Sequence, residues 1–151
     1  MKLLDVNLLL YAVDETSEFH DTARPWFEQT LSGSETVALP WHTLTAFVRL
    51  TTRAAVFAEP LHPDRALDYV EQWLLQPCAT VVHPTFRHLA VMRDLLRAVG
   101  TAGNRVSDAH LAALAIEHGA TLCSRDSDFS RFPGLRWEDP LSGGRQLGTG
   151  R

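Results

Sequence analysis

The chain has 151 residues, of which 45% are hydrophobic and 21% are charged, the composition of one ordinary globular domain. Its longest apolar stretch, residues 8–13, is far shorter than the roughly 20 residues of a membrane-spanning helix, and an acid at position 5 interrupts any signal peptide. We therefore expect a cytoplasmic protein with no membrane segment. The formal net charge of -4 argues against a broad basic nucleic-acid surface, although it leaves room for a local one.

Short apolar runs alternate with longer amphipathic segments along the chain, which is the pattern of an α/β fold. In chain order, we predict a strand at residues 2–5, helices at 8–13 and 21–31, a strand at 36–39, helices at 41–57 and 63–75, a strand at 80–82, helices at 86–99 and 107–117, a strand at 121–124 and an edge strand at 136–138. Helices placed between strands imply parallel βαβ units with right-handed crossovers. The predicted domain, residues 1–141, has a short central parallel sheet of four to five strands with helices on both faces, and residues 142–151 are a predicted flexible tail.

Four aspartates follow predicted strands or open a predicted helix. Asp5 closes the first strand, Asp108 stands in the first turn of the last helix, and Asp126 and Asp128 follow the fourth strand. Each has an ordinary structural explanation: a helix cap, a favourable charge at a helix N-terminus, or an Asx turn. In a parallel α/β sheet, however, the carboxyl ends of the strands share one edge, so these acids should meet there. Clustered carboxylates suit Mg²⁺ or Mn²⁺, which points to a metal-dependent hydrolase of phosphate esters.

Four segments carry a resemblance to a known family. They are LDVN at residues 4–7, the helix at residues 41–50, DAHLAALA at residues 108–115, and the acidic loop SRDSDFSRFPGL at residues 124–135. The chain resembles a PIN domain over residues 1–141, and most closely the VapC proteins, the toxin ribonucleases of VapBC toxin–antitoxin systems. Each motif is modest in specificity, whereas their order and spacing together are strong.

The resemblance implies a Mg²⁺-dependent endoribonuclease that hydrolyses phosphodiester bonds of a structured RNA such as tRNA or rRNA, with Mn²⁺ as a substitute metal. It implies metal ligation by Asp5, Asp108, Asp126 and Asp128, the first three being catalytic. It also implies a homodimer and a VapB-type antitoxin whose C-terminal segment fills a groove beside the acidic site. Asn7 is the predicted N-cap of the first helix, and its amide can orient the Asp5 carboxylate as well.

One position departs from the family pattern. The family commonly has a glutamate three residues before the arginine of the central helix, but here Ala46 precedes Arg49. Either the four aspartates suffice, with water completing the octahedron that Mg²⁺ prefers, or the chain is a catalytically degenerate PIN domain that only binds. We expect the first because four acids remain. A small-molecule phosphatase is a third possibility, but no Asp-x-Asp-x-Thr segment follows the first strand.

Two further features bear on binding. Arg49 lies one turn beyond Ala46 and is predicted to contact either substrate phosphate or an antitoxin carboxylate, unless it is an ordinary surface arginine. The second helix, with Phe19, Trp26 and Phe27, is apolar enough to serve both the core and a partner groove. The seven histidines have neither HExxH nor clustered zinc spacing, so no histidine metal site is expected.

Overall fold

Strands and helices alternate along the chain much as the sequence pattern predicts. The computed structural model describes residues 1–100 and 105–143. Its elements are, in chain order, β1 (Lys2–Leu4), α1 (Val6–Val13), α2 (His20–Ser32), β2 (Val37–Ala38), α3 (Trp41–Thr51), α4 (Pro63–Leu74), β3 (Ala79–Thr80), α5 (His88–Val99), α6 (Arg105–Glu117), β4 (Thr121–Cys123), a 3₁₀ helix (Ser127–Arg131) and β5 (Arg136–Glu138). No helix in the described part of the chain is long and apolar enough to cross a membrane.

The strands form one parallel sheet in the order β3-β2-β1-β4-β5. Leu3 of the central strand β1 pairs with Ala38 of β2 on one side and with Leu122 of β4 on the other. A parallel sheet covered on both faces needs strands that are apolar throughout, and Leu3 and Leu4 are both fully buried. The predicted α/β architecture, with a short parallel sheet and helices on both faces, is confirmed.

Two hydrophobic cores lie on the two faces of this sheet. Successive strand residues point to opposite faces, so Leu3 and Leu4 enter different cores. Leu4 packs into the core that α1 to α4 build, which includes Phe47 and Trp73. Leu3 packs into the second core, which α5, α6 and the 3₁₀ helix build and which includes Phe129. The helices that carry the candidate site are thereby fixed against both faces of β1.

The start of α1 corrects a prediction that matters for the site. The helix begins at Val6 rather than at residue 8, and its N-cap is Asp5 rather than Asn7. Asp5 Oδ1 accepts a hydrogen bond from the backbone N–H of Val6 at 2.7 Å. Because β1 stops at Leu4, one residue earlier than predicted, the cap position falls on the aspartate. Asn7 therefore lies inside the first turn, where its amide bonds to another part of the chain.

Other element boundaries also differ from the predictions by one to several residues. Helix α3 ends at Thr51, not at residue 57, and the hydroxyl groups of Thr51 and Thr52 donate to the carbonyls of Phe47 and Val48 at 2.8 and 2.7 Å where it ends. Helix α5 begins two residues late, at His88. The fourth strand is followed by a 3₁₀ helix that the sequence pattern did not predict. The predicted flexible tail lies outside the described residues from position 144 onward.

Candidate active site

The ends of the central strands β1 and β4 bring two polar residues together. Leu4 and Cys123 are paired in register, so Asp5 and Ser124 follow side by side at the carboxyl edge of the sheet. Ser124 is fully buried, and its hydroxyl donates a hydrogen bond to Asp5 Oδ2 at 2.7 Å. The Ser124 Oγ in turn accepts a hydrogen bond from the side-chain amide of Asn7 at 3.0 Å. Asn7 therefore acts on Asp5 through Ser124, as the predicted orienting amide but with an intermediary.

Ser124 is a candidate site residue that sequence reasoning missed. Its Oγ also accepts the backbone N–H of Asp126 at 3.0 Å, so one hydroxyl ties Asp5, Asn7 and the acidic loop together. The only signal in the sequence is a small hydroxyl residue between a strand and an acidic loop, which is common in turns.

Asp5 is the most enclosed of the four acids. Burial raises the pKa of its carboxyl, and the nearby charge of Asp126 raises it further, while hydrogen bonds from Ser124 and Val6 lower it. Both carboxylate oxygens are held by these donors, one each, which fixes the orientation of the group. A fixed carboxylate at the edge of the sheet can serve as a metal ligand or position a water.

Asp108 lies half-buried in the first turn of α6, where it faces the other acids. Burial and then the charges of Asp126 and Asp5 raise the pKa of its carboxyl to about 6, and Arg105 opposes that rise. At neutral pH the Asp108 carboxyl is largely ionised, as metal ligation requires. In that state it is repelled by the carboxylates of Asp126 and Asp5. A bound cation would relieve that repulsion.

The acidic loop presents its two aspartates differently. Asp126 caps the 3₁₀ helix, its Oδ1 accepting the backbone N–H of Asp128 at 2.9 Å. Asp128 has a side chain that is 46% exposed and lies 3.7 Å from Arg105 and 3.8 Å from Arg131. The charge of Asp128 is the weakest of those that raise the pKa of Asp108. Asp126 is exposed, and its charge acts on both Asp5 and Asp108, whereas the charge of Asp128 is shared with two arginines.

Burial of the following phenylalanines anchors this loop. Phe129 and Phe132 are 2% and 3% exposed, and their ring centroids are 6.2 Å apart. Both belong to the core on the α5–α6 face of the sheet. They hold the loop against the core of the domain.

The acids are thus gathered at one edge, but they do not form a closed cage. Within residues 1–100 and 105–143, no group of three or more His, Cys, Asp or Glu side chains is arranged to hold a metal ion. The donor set nevertheless fits a hard divalent cation, since these are negatively charged oxygen donors and neighbouring acids raise the pKa of both Asp5 and Asp108. Mg²⁺ is commonly held by one or two carboxylates and keeps several waters. The arrangement suits that mode rather than a fully protein-built cage.

Helix α3 contributes a second wall to the acidic edge. His42, Ala46 and Arg49 are spaced to share one helix face, and Ala46 is half-buried while the other two are exposed. Burial and the nearby charge of Arg49 lower the pKa of His42, whereas the charge of Asp5 opposes this shift. His42 therefore lies within electrostatic reach of both the acid and the arginine. Sequence reasoning identified Arg49 and missed His42.

A cavity of about 410 Å³ lies elsewhere on the protein. It is bounded by the end of α1 at Val13, by Arg24 and Phe27 of α2, and by Tyr69 and Trp73 of α4. Since α1 starts at the acidic edge and rises about 1.5 Å per residue, its far end is about 12 Å away from Asp5. Phe27 of α2 is a core residue that also lines this cavity, so the expected core role of the helix is confirmed, whereas a partner groove stays a prediction.

Replacing Asp108 by asparagine is expected to stabilise the metal-free protein above pH 6. A carboxyl with a raised folded-state pKa binds its proton more tightly in the folded than in the unfolded state, so stability falls as pH rises from about 4 to about 6. Asparagine cannot ionise, so the variant keeps this free energy of unfolding. We expect a gain of about 1 kcal/mol after discounting for solvent screening, or roughly 2–4 °C in Tm. Thermal melts in EDTA at pH 4 and pH 8 measure it. The same Tm difference at both pH values would contradict this assignment.

Comparison with known proteins finds relatives over nearly the whole chain. A family model described as PIN domain matches residues 2–135. The chain is similar to Ribonuclease VapC37 of Mycobacterium tuberculosis (49% identical over 140 residues, 93% of this chain and 97% of that protein) and to Ribonuclease VapC33 of the same organism (40% identical, 93% and 99% covered).

Two solved structures illustrate the likeness in fold. The first is VapBC2 from Rickettsia felis bound to a DNA fragment from its promoter, with a TM-score of 0.66 at 20% identity, covering 91% of this chain and 96% of that one. The second is the sarcin-ricin loop cleaving toxin VapC20 of Mycobacterium tuberculosis, with a TM-score of 0.65 at 20% identity, covering 90% and 99%. At this level of identity the likeness concerns the fold alone.

Proposed function

The chain belongs to the PIN-domain family and, within it, to the VapC ribonucleases, and from this premise we propose that it is a Mg²⁺-dependent endoribonuclease acting as the toxin of a toxin–antitoxin pair. The observation that carries the proposal is the proximity of Asp5, Asp108 and Asp126 near the carboxyl edge of the sheet, where the charge of Asp126 acts on Asp5 and the charges of Asp126 and Asp5 act on Asp108. Hydrolysis of a phosphodiester needs charge stabilisation and a positioned water, and carboxylates around a divalent ion supply both. Mn²⁺ can substitute for Mg²⁺ in such an oxygen site.

The proposed division of roles follows from the contacts. Asp5, Asp108 and Asp126 would hold the metal and orient the attacking water, and Asp128 would be an outer ligand because two arginines already share its charge. When bound, a divalent cation would acidify water and offset negative charge on the phosphate. Ser124 holds Asp5 in place, and Asn7 in turn holds Ser124.

A structured RNA, such as tRNA or rRNA, is the proposed substrate, and the cytoplasm is the proposed place of action. The named relatives are ribonucleases, and one structural neighbour cleaves the sarcin-ricin loop. Unpaired loops of folded RNA are the parts that proteins read and reach most readily, because their backbone can be splayed open. Arg49 is exposed and would contact a phosphate of such a loop.

The proposed protein partners are a VapB-type antitoxin and a second copy of the chain. Similar folds occur as VapBC assemblies, and the cavity between α1, α2 and α4, which has both apolar and charged lining residues, is the proposed groove for an amphipathic antitoxin segment. Its walls carry Phe27 and Trp73 together with Glu15 and Arg24. A homodimer would cover part of the exposed apolar surface at the start of α5, where Phe86 is 97% and Leu89 69% exposed.

The wild-type chain is expected to cleave RNA in Mg²⁺ or Mn²⁺ without a glutamate at position 46. Three aspartates and water can complete the coordination shell, so Ala46→Glu should change the rate only modestly. A gel assay of RNA cleavage by both proteins, with EDTA as the negative control, measures this.

A catalytically degenerate domain that only binds is the second candidate. It is favoured by Ala46 and by the lack of a ready group of three metal-holding side chains among the described residues. An inert wild type that Ala46→Glu rescues would establish this candidate and refute ours.

A further inference from the structure

A row of three histidine rings leads from a buried carboxylate to the acidic edge. The side chain of Glu117 is fully buried and accepts hydrogen bonds from the N–H and hydroxyl of Thr85 and from Nδ1 of His88. His88 Nε2 lies 2.9 Å from His110 Nδ1. The ring of His110 packs edge to face against His88 at 4.8 Å and against His42 at 5.1 Å, both between ring centroids. Residues from three separate helices thus form one continuous row.

The hydrogen bonds of this row have a defined direction. Burial alone would raise the pKa of Glu117, but the hydrogen bonds from Thr85 and His88 lower it, so its carboxylate acts only as an acceptor. His88 must therefore donate through Nδ1, and in its neutral form Nε2 accepts the Nδ1–H of His110. A carboxylate that accepts from one ring nitrogen fixes both the tautomer and the orientation of a histidine. His88 is held in this way and in turn holds His110 through its Nε2, and the ring of His42 packs against His110.

His42 stands where the row reaches the candidate active site. It shares a helix face with Ala46 and Arg49, and the charge of Asp5 acts on it. Because position 46 carries a methyl group instead of a carboxylate, this face offers two nitrogen donors with no acid between them. A phosphate approaching the carboxylates of the acidic edge meets repulsion unless donors lie beside its path.

We propose that His42 donates a hydrogen bond to an RNA phosphate beside the acidic site, and that Glu117, His88 and His110 are positioning residues that hold its ring. The proposal rests on the proposed ribonuclease function and adds a substrate contact and its support to it. His42 faces the substrate directly, whereas the three inner residues act through it.

RNA affinity tests the role of His42 without relying on cleavage. A fluorescein-labelled single-stranded RNA oligonucleotide is titrated with the Asp108→Asn protein, and anisotropy gives Kd. Adding His42→Ala should raise Kd roughly 10-fold, the effect of one hydrogen bond to a charged group. His42→Gln, which keeps an N–H donor, should recover part of the loss.

The matched control is His83→Ala, an exposed histidine outside the row. Unchanged affinity in His42→Ala, or an equal loss in His83→Ala, would overturn the proposal. The ribonuclease function is judged separately, by whether Asp5→Asn retains cleavage, so the two failures are distinguishable.

Histidine tautomers test the positioning residues. Long-range ¹H–¹⁵N spectra of histidine-labelled protein should show His88 and His110 protonated at Nδ1. In Glu117→Gln, Thr85 still donates twice to the side-chain oxygen, so the amide NH₂ faces His88 and both rings should switch to the Nε2–H form. That variant should also bind RNA more weakly, by less than His42→Ala does. The positioning role would be overturned if His88 and His110 carried their protons on Nε2 in the wild type. It would also be overturned if Glu117→Gln switched both tautomers without changing the RNA affinity.

Discussion

Asp5→Asn should abolish most RNA cleavage while leaving the fold intact. Asp5 is the acid whose two oxygens are each held by a donor, so it is the most firmly placed ligand of the acidic edge. Asparagine keeps one acceptor for the N–H of Val6, so the start of α1 survives, but it supplies no negative charge. Removal of an outer-shell partner costs about 10–100-fold in metal affinity or activity, and loss of a direct ligand should exceed this range.

The matched control is Asp68→Asn, which removes an exposed aspartate from α4. It should leave the cleavage rate unchanged, and thermal melts of both variants should resemble the wild type. Near-normal cleavage by Asp5→Asn would show that Asp5 is not needed for catalysis and would contradict the proposed role of the acidic edge.

Ser124→Ala is expected to cause the second large loss of RNA cleavage. The Ser124 hydroxyl is the shared partner of Asp5, Asn7 and the backbone N–H of Asp126, and the residue is fully buried. Its removal frees one oxygen of Asp5 and leaves the amide of Asn7 without this acceptor. We expect a fall in kcat of about 10–100-fold, as for other residues that orient a ligand, with little change in KM.

Ser130→Ala is the matched control for that variant. Ser130 lies in the same loop, is exposed, and makes one local hydrogen bond to the carbonyl of Ser127 at 2.7 Å. Its kcat should match that of the wild type. A change in KM alone for Ser124→Ala would show that the hydroxyl contacts substrate and does not orient Asp5.

The order of strands and helices was readable from the sequence because local pattern and tertiary packing agree. Leu3 and Leu4 are apolar on both faces of β1, as a strand buried between two helical layers must be. The boundaries were less readable. Asp5 and Asn7 are both good N-caps, and only the point at which β1 leaves the sheet selects the aspartate.

The meeting of the acids could be predicted because the carboxyl ends of parallel strands share an edge, whatever the details of packing. The hydrogen-bond partners of these acids could not be predicted. Ser124 reaches Asp5 across 119 positions of sequence, and no local pattern encodes that contact. The histidine row escaped notice for the same reason, since its rings come from α3, α5 and α6 and have no metal-type spacing. The metal-binding role of the four aspartates remains a prediction.

Calorimetric titration of Mn²⁺ into the wild type and Asp5→Asn tests most directly whether the acidic edge binds a divalent cation. The account predicts saturable uptake by the wild type and its loss in Asp5→Asn, with Asp68→Asn behaving as the wild type. Absence of Mn²⁺ uptake by the wild type, or equal uptake by Asp5→Asn, would contradict it.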